Sequence, residues 1–458
     1  MLEKLGILIE FSFRPRRISE KTVALSRRNF LTLAGAGAAT FALASLLRNY
    51  YVRATTGQSL LAKGFGELIP DPNGILDLPK RFQYRILSQT GKLMSDNNPV
   101  PTSHDGMAAF PGKNGATILV RNHELSPGQT PAVMAANTNK YYDRRSSGGT
   151  TTLIVDKDRQ TIEEFVSLAG TNRNCSGGST PWGSWISCEE DDLAPQSSDL
   201  SHLTTESIKH GYNFEVFADG KISPPLPLVA MGRFRHEAIA VAPKTGYIYQ
   251  TEDREDSCIY RFRPKQNGNL KAGGILEALV IKDMPAVNTS LDFPMGNPKK
   301  VEWVKIEEVD PEKDTLRYEA QSKGAAIFRR GEGICFGNGE IYWTCTNGGK
   351  AGTGQIFRYN LASETVELFV ESPGMEVLDY PDNLILTPFG HLMVCEDGLG
   401  EQFLVGITPE GEYYHFARNA FNNSEFAGIC FAPDGQTMFV NIYDPGITLA
   451  IWGEWNQT

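Results

Sequence analysis

The chemistry in this chain concentrates in one stretch, residues 174–191, which read NCSGGSTPWGSWISCEED. Cys175 lies in a Gly/Ser loop, and the short apolar strand Trp185-Ile186-Ser187-Cys188 runs straight into Glu189, Glu190 and Asp191. A thiolate suits iron, copper or zinc, whereas carboxylate oxygens suit calcium, magnesium and ferric iron. A strand rises about 3.3 Å per residue, so thiol and acids meet only if the loop folds back. The Gly177-Gly178 pair permits that reversal, because glycine tolerates positive φ. Taken alone, the stretch reads as a buried structural cysteine beside a solvated acidic turn. The metal reading needs the rest of the chain.

The rest of the chain supplies a repeat. Each unit opens on an acid or polar residue, runs through an apolar strand, turns at glycine, and returns to a polar or acidic end. Asp105–Phe110 returns through Thr117–Val120 to Glu124, and Thr180–Gly183 leads to Glu189-Glu190. His236–Val241 returns to Thr251-Glu252-Asp253, and Gly331–Phe336 returns to Asn347. Tyr380–Leu384 returns to Cys395-Glu396-Asp397, and Glu425–Cys430 returns to Tyr443. Six such hairpins, with outer strands such as Gln355–Tyr359 and Thr448–Trp452, predict an all-β, six-bladed β-propeller. In that fold the inner strands surround one channel, and their ends converge at its mouth. Acids recurring at nearly the same two positions would form a ring there, and such a ring repels itself unless a cation holds it.

Composition agrees. The chain has 458 residues, 41% of them hydrophobic, with 45 Gly and 26 Pro, which allows a large core and many turns. The formal net charge of −10 argues against nucleic-acid binding by bulk electrostatics. The seven cysteines form no CxxC pair, and apart from Cys175 they read as buried free thiols. Residues 1–47 read as a leader. Ser26-Arg27-Arg28-Asn29-Phe30-Leu31 precedes an Ala/Gly-rich apolar run, as in twin-arginine export signals, and the run is short for a membrane span. That route predicts a folded protein delivered to the periplasm or secreted, with cleavage at Ala42-Leu43-Ala44 or retention as an anchor. Residues 57–458 read as a single domain, and 265–325 as a rim insertion or lid. The segment 192–212 reads as a second polar loop.

Arg330 precedes Glu332 by two residues, and side chains at i and i+2 share a strand face. A guanidinium beside a metal cluster suits a phosphate oxyanion. The alternative is a plain ion pair. Gly232-Arg233-Phe234-Arg235-His236-Glu237 has the same form. His236 and His123 are metal-ligand types, although a histidine beside an acid more often packs or orients its neighbour. There is no G-x-S-x-G elbow and no P-loop, and Ser103-His104-Asp105 is contiguous, the wrong arrangement for a triad.

NCSGGSTPWGSWISCEED, GRFRHEAIAV with its downstream YQTED, and RRGEGICF together resemble the PhoX-type alkaline phosphatases, over about residues 60–455 and including the leader. The resemblance implies a six-bladed propeller that hydrolyses phosphomonoesters with a channel-mouth cluster of Fe3+ and Ca2+ bridged by an oxo group. It implies Cys175, Glu190, Glu252 and Glu332 as cluster ligands and Arg330 as the phosphate-binding arginine. Glu237, Asp253, Glu396 and Asp397 are implied as calcium ligands. In catalysis the expected residues are Arg330 and Cys175. The expected partners are phosphomonoester substrates, phosphate and the twin-arginine machinery, and the expected state is a monomer. Two other classes remain open: a calcium-dependent propeller esterase or lactonase, which needs no Cys175, and a non-catalytic calcium-stabilised binding propeller, which needs neither Cys175 nor Arg330.

Overall fold

The computed structural model describes residues 61–191 and 208–455. The leader and most of the 192–212 loop lie outside those residues. The inner hairpins form where the alternation of apolar and small residues requires them. They comprise β1 (His104–Pro111) with β2 (Thr117–His123), and β3 (Asn174–Ser179) with β4 (Ser184–Glu189). Next come β5 (His236–Ala242) with β6 (Tyr247–Glu252), and β7 (Gly331–Gly337) with β8 (Glu340–Cys345). The last two are β9 (Pro381–Leu386) with β10 (Leu392–Glu396), and β11 (Phe426–Phe431) with β12 (Thr437–Ile442). Each first strand packs beside the next: β1 on β3, β3 on β5, β5 on β7, β7 on β9, β9 on β11, and β11 back on β1. Glycines allow that close approach. A Cβ at Gly178 would sit 2.0 Å from the Ile239 carbonyl oxygen, and one at Gly333 would sit 2.5 Å from that of Asp382.

The arrangement is all-β and propeller-like, but the hydrogen bonding corrects the expected set of six separate blades. The described strands form five sheets. One is nine-stranded and carries β5-β6 at one end and β7-β8 at the other. The join is made by Lys299–Lys305, which pairs with Gly274–Ile281 and then, through Lys299↔Val366 and Lys300↔Thr365, with Thr365–Glu371. The 265–325 segment is therefore partly sheet. It also carries the one α-helix among the described residues, Leu316–Ser322. The remaining sheets have three, four, four and six strands. In the sheet of β11 and β12, Phe82–Gln89 pairs with Ile447–Gly453, so an early strand completes the last sheet of the chain.

Apolar side chains fill the wedges between sheets. Ile186, Ile239, Ile248 and Phe262 form one such cluster, and Trp343 stacks on Phe357 at 5.6 Å in another. Burying each such side chain contributes about 1.5–3 kcal/mol. No helix among the described residues is long and apolar enough to cross a membrane.

Candidate metal centre and active site

Every inner hairpin carries a β-bulge at the same place. Asn174 pairs with Glu189 but Gly177 with Ser187, so three steps on the first strand match two on the second. The same slip occurs between His104 and Met107, His236 and Ile239, Gly331 and Ile334, Pro381 and Leu384, and Ala427 and Cys430. A bulge re-aims the side chain of its extra residue. Immediately after the last regular pair stand Asp105, Cys175, Glu237, Glu332 and Asp382, and in the sixth hairpin Gly428. Gly428 has φ 62°, and a Cβ there would meet the Asp105 carbonyl oxygen at 2.2 Å. That hairpin brings its acid, Glu425, from just before the strand.

These positions converge. Cys175, Glu190 and Glu237 offer ligand atoms all within 4.8 Å of one another, and so do Glu237, Glu332 and Asp382. Glu237 belongs to both groups. Burial raises the Cys175 thiol well above its usual range, and the nearby Glu237 and Glu190 add to the rise. Burial likewise pushes Glu237 well up, helped by Glu332 and Asp382. Glu332 is raised by burial and by Asp253, against the pull of Arg330. Asp382 rises to about 8, from burial first and then from Asp397. Asp105 is raised by burial and by Glu124, and Glu425 by burial and by Asp397. Crowded carboxylates of this kind resist ionisation together, and a bound cation inverts that balance. The donor set fits metal: a thiol with two carboxylates on one side, and an all-oxygen group on the other.

The backbone under Cys175 is held from the neighbouring hairpin. The Asn122 side-chain amide donates to the carbonyls of Cys175 (3.1 Å) and Ser176 (2.7 Å), and its Oδ1 accepts from Trp185 Nε1 and Ser187 Oγ, each at 2.9 Å. The thiol points toward the His236 carbonyl oxygen at 3.3 Å.

Adjacent residues at the strand ends part ways. Asp253 reaches the mouth and accepts from Arg330 Nε at 2.9 Å. Glu252 turns into its own sheet, where it accepts from Tyr260 Oη at 2.8 Å and lies 3.6 Å from Arg317. Glu396 does the same, accepting from the backbone N–H groups of Asp379 (2.8 Å) and Phe403 (3.0 Å), while Asp397 stays at the exposed rim. Glu252 and Glu396 are therefore outside both metal-type groups, because successive side chains on a strand point to opposite faces. The histidines are also structural. His236 Nε2 bonds the Gly232 carbonyl, and burial pulls its pKa down to about 3. His123 bonds the Thr102 carbonyl and Thr151 Oγ1.

Arginines and acids alternate along one side of the mouth. Arg173 contacts both Glu124 and Glu190. Glu190 also accepts from Arg235 Nε at 2.7 Å, and Arg235 lies 3.5 Å from Asp253. Arg330 then bridges Asp253 and Glu332, donating to Glu332 at 2.6 Å. Sequence reasoning singled out Glu190, Glu237, Asp253, Glu332, Cys175 and Arg330 from this assembly. It marked Asp105, Glu124 and Glu425 only as hairpin-end acids and Arg235 only as standing before Glu237 as Arg330 stands before Glu332, and it passed over Asp382 and Arg173 as site residues. A local signal was present: the bulge residue precedes a small residue in Asp105-Gly106, Cys175-Ser176, Glu237-Ala238, Glu332-Gly333 and Asp382-Asn383.

Comparison with known proteins identifies the family and the fold. No curated protein matches the chain in sequence. The solved structure of Pseudomonas fluorescens PhoX in complex with vanadate, a transition state analogue, shares the fold at TM-score 0.65 and 20% identity, covering 86% of this chain and 98% of that one. A gluconolactonase from Xanthomonas campestris matches at TM-score 0.44 and 11% identity, over 85% of this chain and 98% of that one, too distant to carry an argument. The family model for alkaline phosphatase PhoX matches residues 63–163 and 157–446. With both the fold and most of its length matched, this chain belongs to the PhoX alkaline phosphatase family, and it is a phosphate-hydrolysing enzyme.

Proposed function

We propose that the protein hydrolyses phosphate monoesters at a mixed metal cluster in the channel mouth, releasing inorganic phosphate. The observation that carries this reading is the pair of overlapping groups, Cys175/Glu190/Glu237 and Glu237/Glu332/Asp382, beside the guanidinium of Arg330. The thiol-bearing group suits Fe3+, and the oxygen-only group, with Asp253 and Asp397 near it, suits Ca2+. When bound, such cations supply Lewis-acid neutralisation of the phosphoryl oxygens. Glu252 and Glu396 are not among the ligands we propose.

Arg330 supplies the complementary grip. Its Nε and Nη2 are held by Asp253 and Glu332, which fixes the plane of the guanidinium. Its Nη1 has no hydrogen bond among the described residues and is left for a phosphate oxygen. A fixed fork of this kind orients the phosphoryl group and counters charge that builds as the ester bond breaks. Cys175 favours this reading over a calcium-only esterase or lactonase, which would have no use for a buried thiol between two carboxylates.

The closed circuit of six first strands supports a six-bladed propeller in which two blades are joined at their outer edges. The twin-arginine-like leader supports export to the periplasm or beyond, and we read the enzyme as a monomer. The test is metal analysis of purified protein together with hydrolysis of p-nitrophenyl phosphate, with and without a calcium chelator. Iron and calcium in the protein, with activity lost to the chelator, are expected. Full activity in iron-free protein would overturn the proposal.

A further inference from the structure

Arg330 is not alone in its position. It immediately precedes the last regular pair before a bulge, two residues ahead of the metal-type residue Glu332. Arg235 stands in the same relation to Glu237, and Arg173 to Cys175. Three consecutive hairpins thus repeat one unit: an arginine, a paired residue, then a metal-type side chain. Arg173 and Arg330 even share an unusual backbone, with φ 45° and 50°, a left-handed region that residues other than glycine seldom adopt. The three side chains are similarly part-exposed, at 32%, 22% and 26% for Arg173, Arg235 and Arg330. Each neighbouring pair shares a carboxylate: Glu190 between Arg173 and Arg235, and Asp253 between Arg235 and Arg330. The three guanidiniums therefore follow one another along the mouth. Arg173, like Arg330, keeps an Nη1 with no hydrogen bond among the described residues.

We infer that Arg235 and Arg173 extend the Arg330 site into an anion track, suited to phosphate esters that carry a second anionic group, a carboxylate or a further phosphate, beside the reacting one. This rests on the reading of the site as a phosphatase. The reacting phosphate lies between Arg330 and Arg235, and the second anion reaches Arg173. A neutral leaving group leaves Arg173 without a ligand.

Two non-hydrolysable ligands that differ by one carboxylate, methylphosphonate and phosphonoacetate, test this by calorimetric titration of the metal-loaded protein. One added charge-assisted contact predicts about tenfold tighter binding of phosphonoacetate. Arg173→Gln should reduce that preference below about twofold, with iron and calcium contents unchanged, and Arg173→Lys should restore part of it. The matching kinetic pair is glycerol 3-phosphate and 3-phosphoglycerate. The KM ratio between them should shift with the substitution more than the kcat ratio does. Equal binding of both phosphonates by the unaltered protein, or a preference that survives in Arg173→Gln, overturns the track. Loss of metal in that variant also overturns it, since Arg173 would then merely support Glu190. If no phosphate ester is hydrolysed while the phosphonoacetate preference holds, the phosphatase reading fails and the track stands.

Discussion

The Cys175 thiol lies 3.6 Å from the backbone carbonyl oxygen of Glu237, and the two side chains present ligand atoms within 4.8 Å of each other. They come from adjacent hairpins, each at the same step of a bulge. This contact makes a soft donor part of an otherwise hard acidic site.

Removal of the soft donor should change the metal before it changes the fold. Cys175→Ser is expected to lower bound iron and to cut phosphatase activity by on the order of 100-fold, while calcium content falls less. Elemental analysis, a visible absorption spectrum and activity on one preparation check this. Iron retained at the original level would refute the role of the thiol.

Arg330→Ala removes the fork held by Asp253 and Glu332. We expect kcat to fall about 100-fold or more, because one oriented donor to a developing oxyanion contributes on that scale. Arg330→Lys should recover little, since a lysine cannot reproduce the two-point clamp. Steady-state kinetics of both variants at constant metal content give the answer.

His210 ties stability to pH. Burial disfavours its charge, but Glu189 at 2.7 Å and Asp143 outweigh that and raise its pKa from 6.5 to about 10. A raised pKa stabilises the fold fully below pH 6.5 and loses that contribution as pH climbs through about 10. The stability difference between the unaltered protein and His210→Gln, on the order of a few kcal/mol at pH 6, should shrink steadily toward pH 10. Denaturant unfolding at several pH values measures it, and a pH-independent difference would contradict the linkage.

Gly178→Ala probes the approach of neighbouring inner strands. The added Cβ would fall 2.0 Å from the Ile239 carbonyl oxygen, a backbone atom with no freedom to swing aside. Overpacking of this kind costs about 1–3 kcal/mol. A melting temperature lowered by several degrees is expected, and an unchanged one would show that the strands can part without cost.

Residue order alone carried the hairpins, the acids at their ends, and the pairing of Arg330 with Glu332. All follow from period-2 alternation and turn chemistry, which are local. It did not say which of two neighbouring acids faces the mouth. Glu252 and Asp253 are equivalent as text, yet one bonds Tyr260 inside a sheet and the other meets Arg330. That choice depends on the strand's register against its partner, and a bulge shifts register by one residue. For the same reason Asp382 passed unremarked as a ligand: its preceding residue ends the regular pairing with Glu396, a relation between segments and not within one.

The edge between two of the sheets was equally hidden. Lys299–Lys305 bonds Gly274–Ile281 on one side and Thr365–Glu371 on the other, so what read as an insertion became the join. The chain's own sequence thus determined that Cys175 sits in a glycine-rich stretch near acids, that the body is all-β with repeated hairpins, and to which family it belongs; the expected loop around Cys175 is instead the bulged strand β3, paired with β4. Only the tertiary structure decided that Cys175, Glu190, Glu237, Glu332 and Asp382 share one site flanked by three arginines. The physical reason is that convergence comes from closing a circuit of six strands, and each strand's contribution is set by a bulge whose position appears only once the strands are paired.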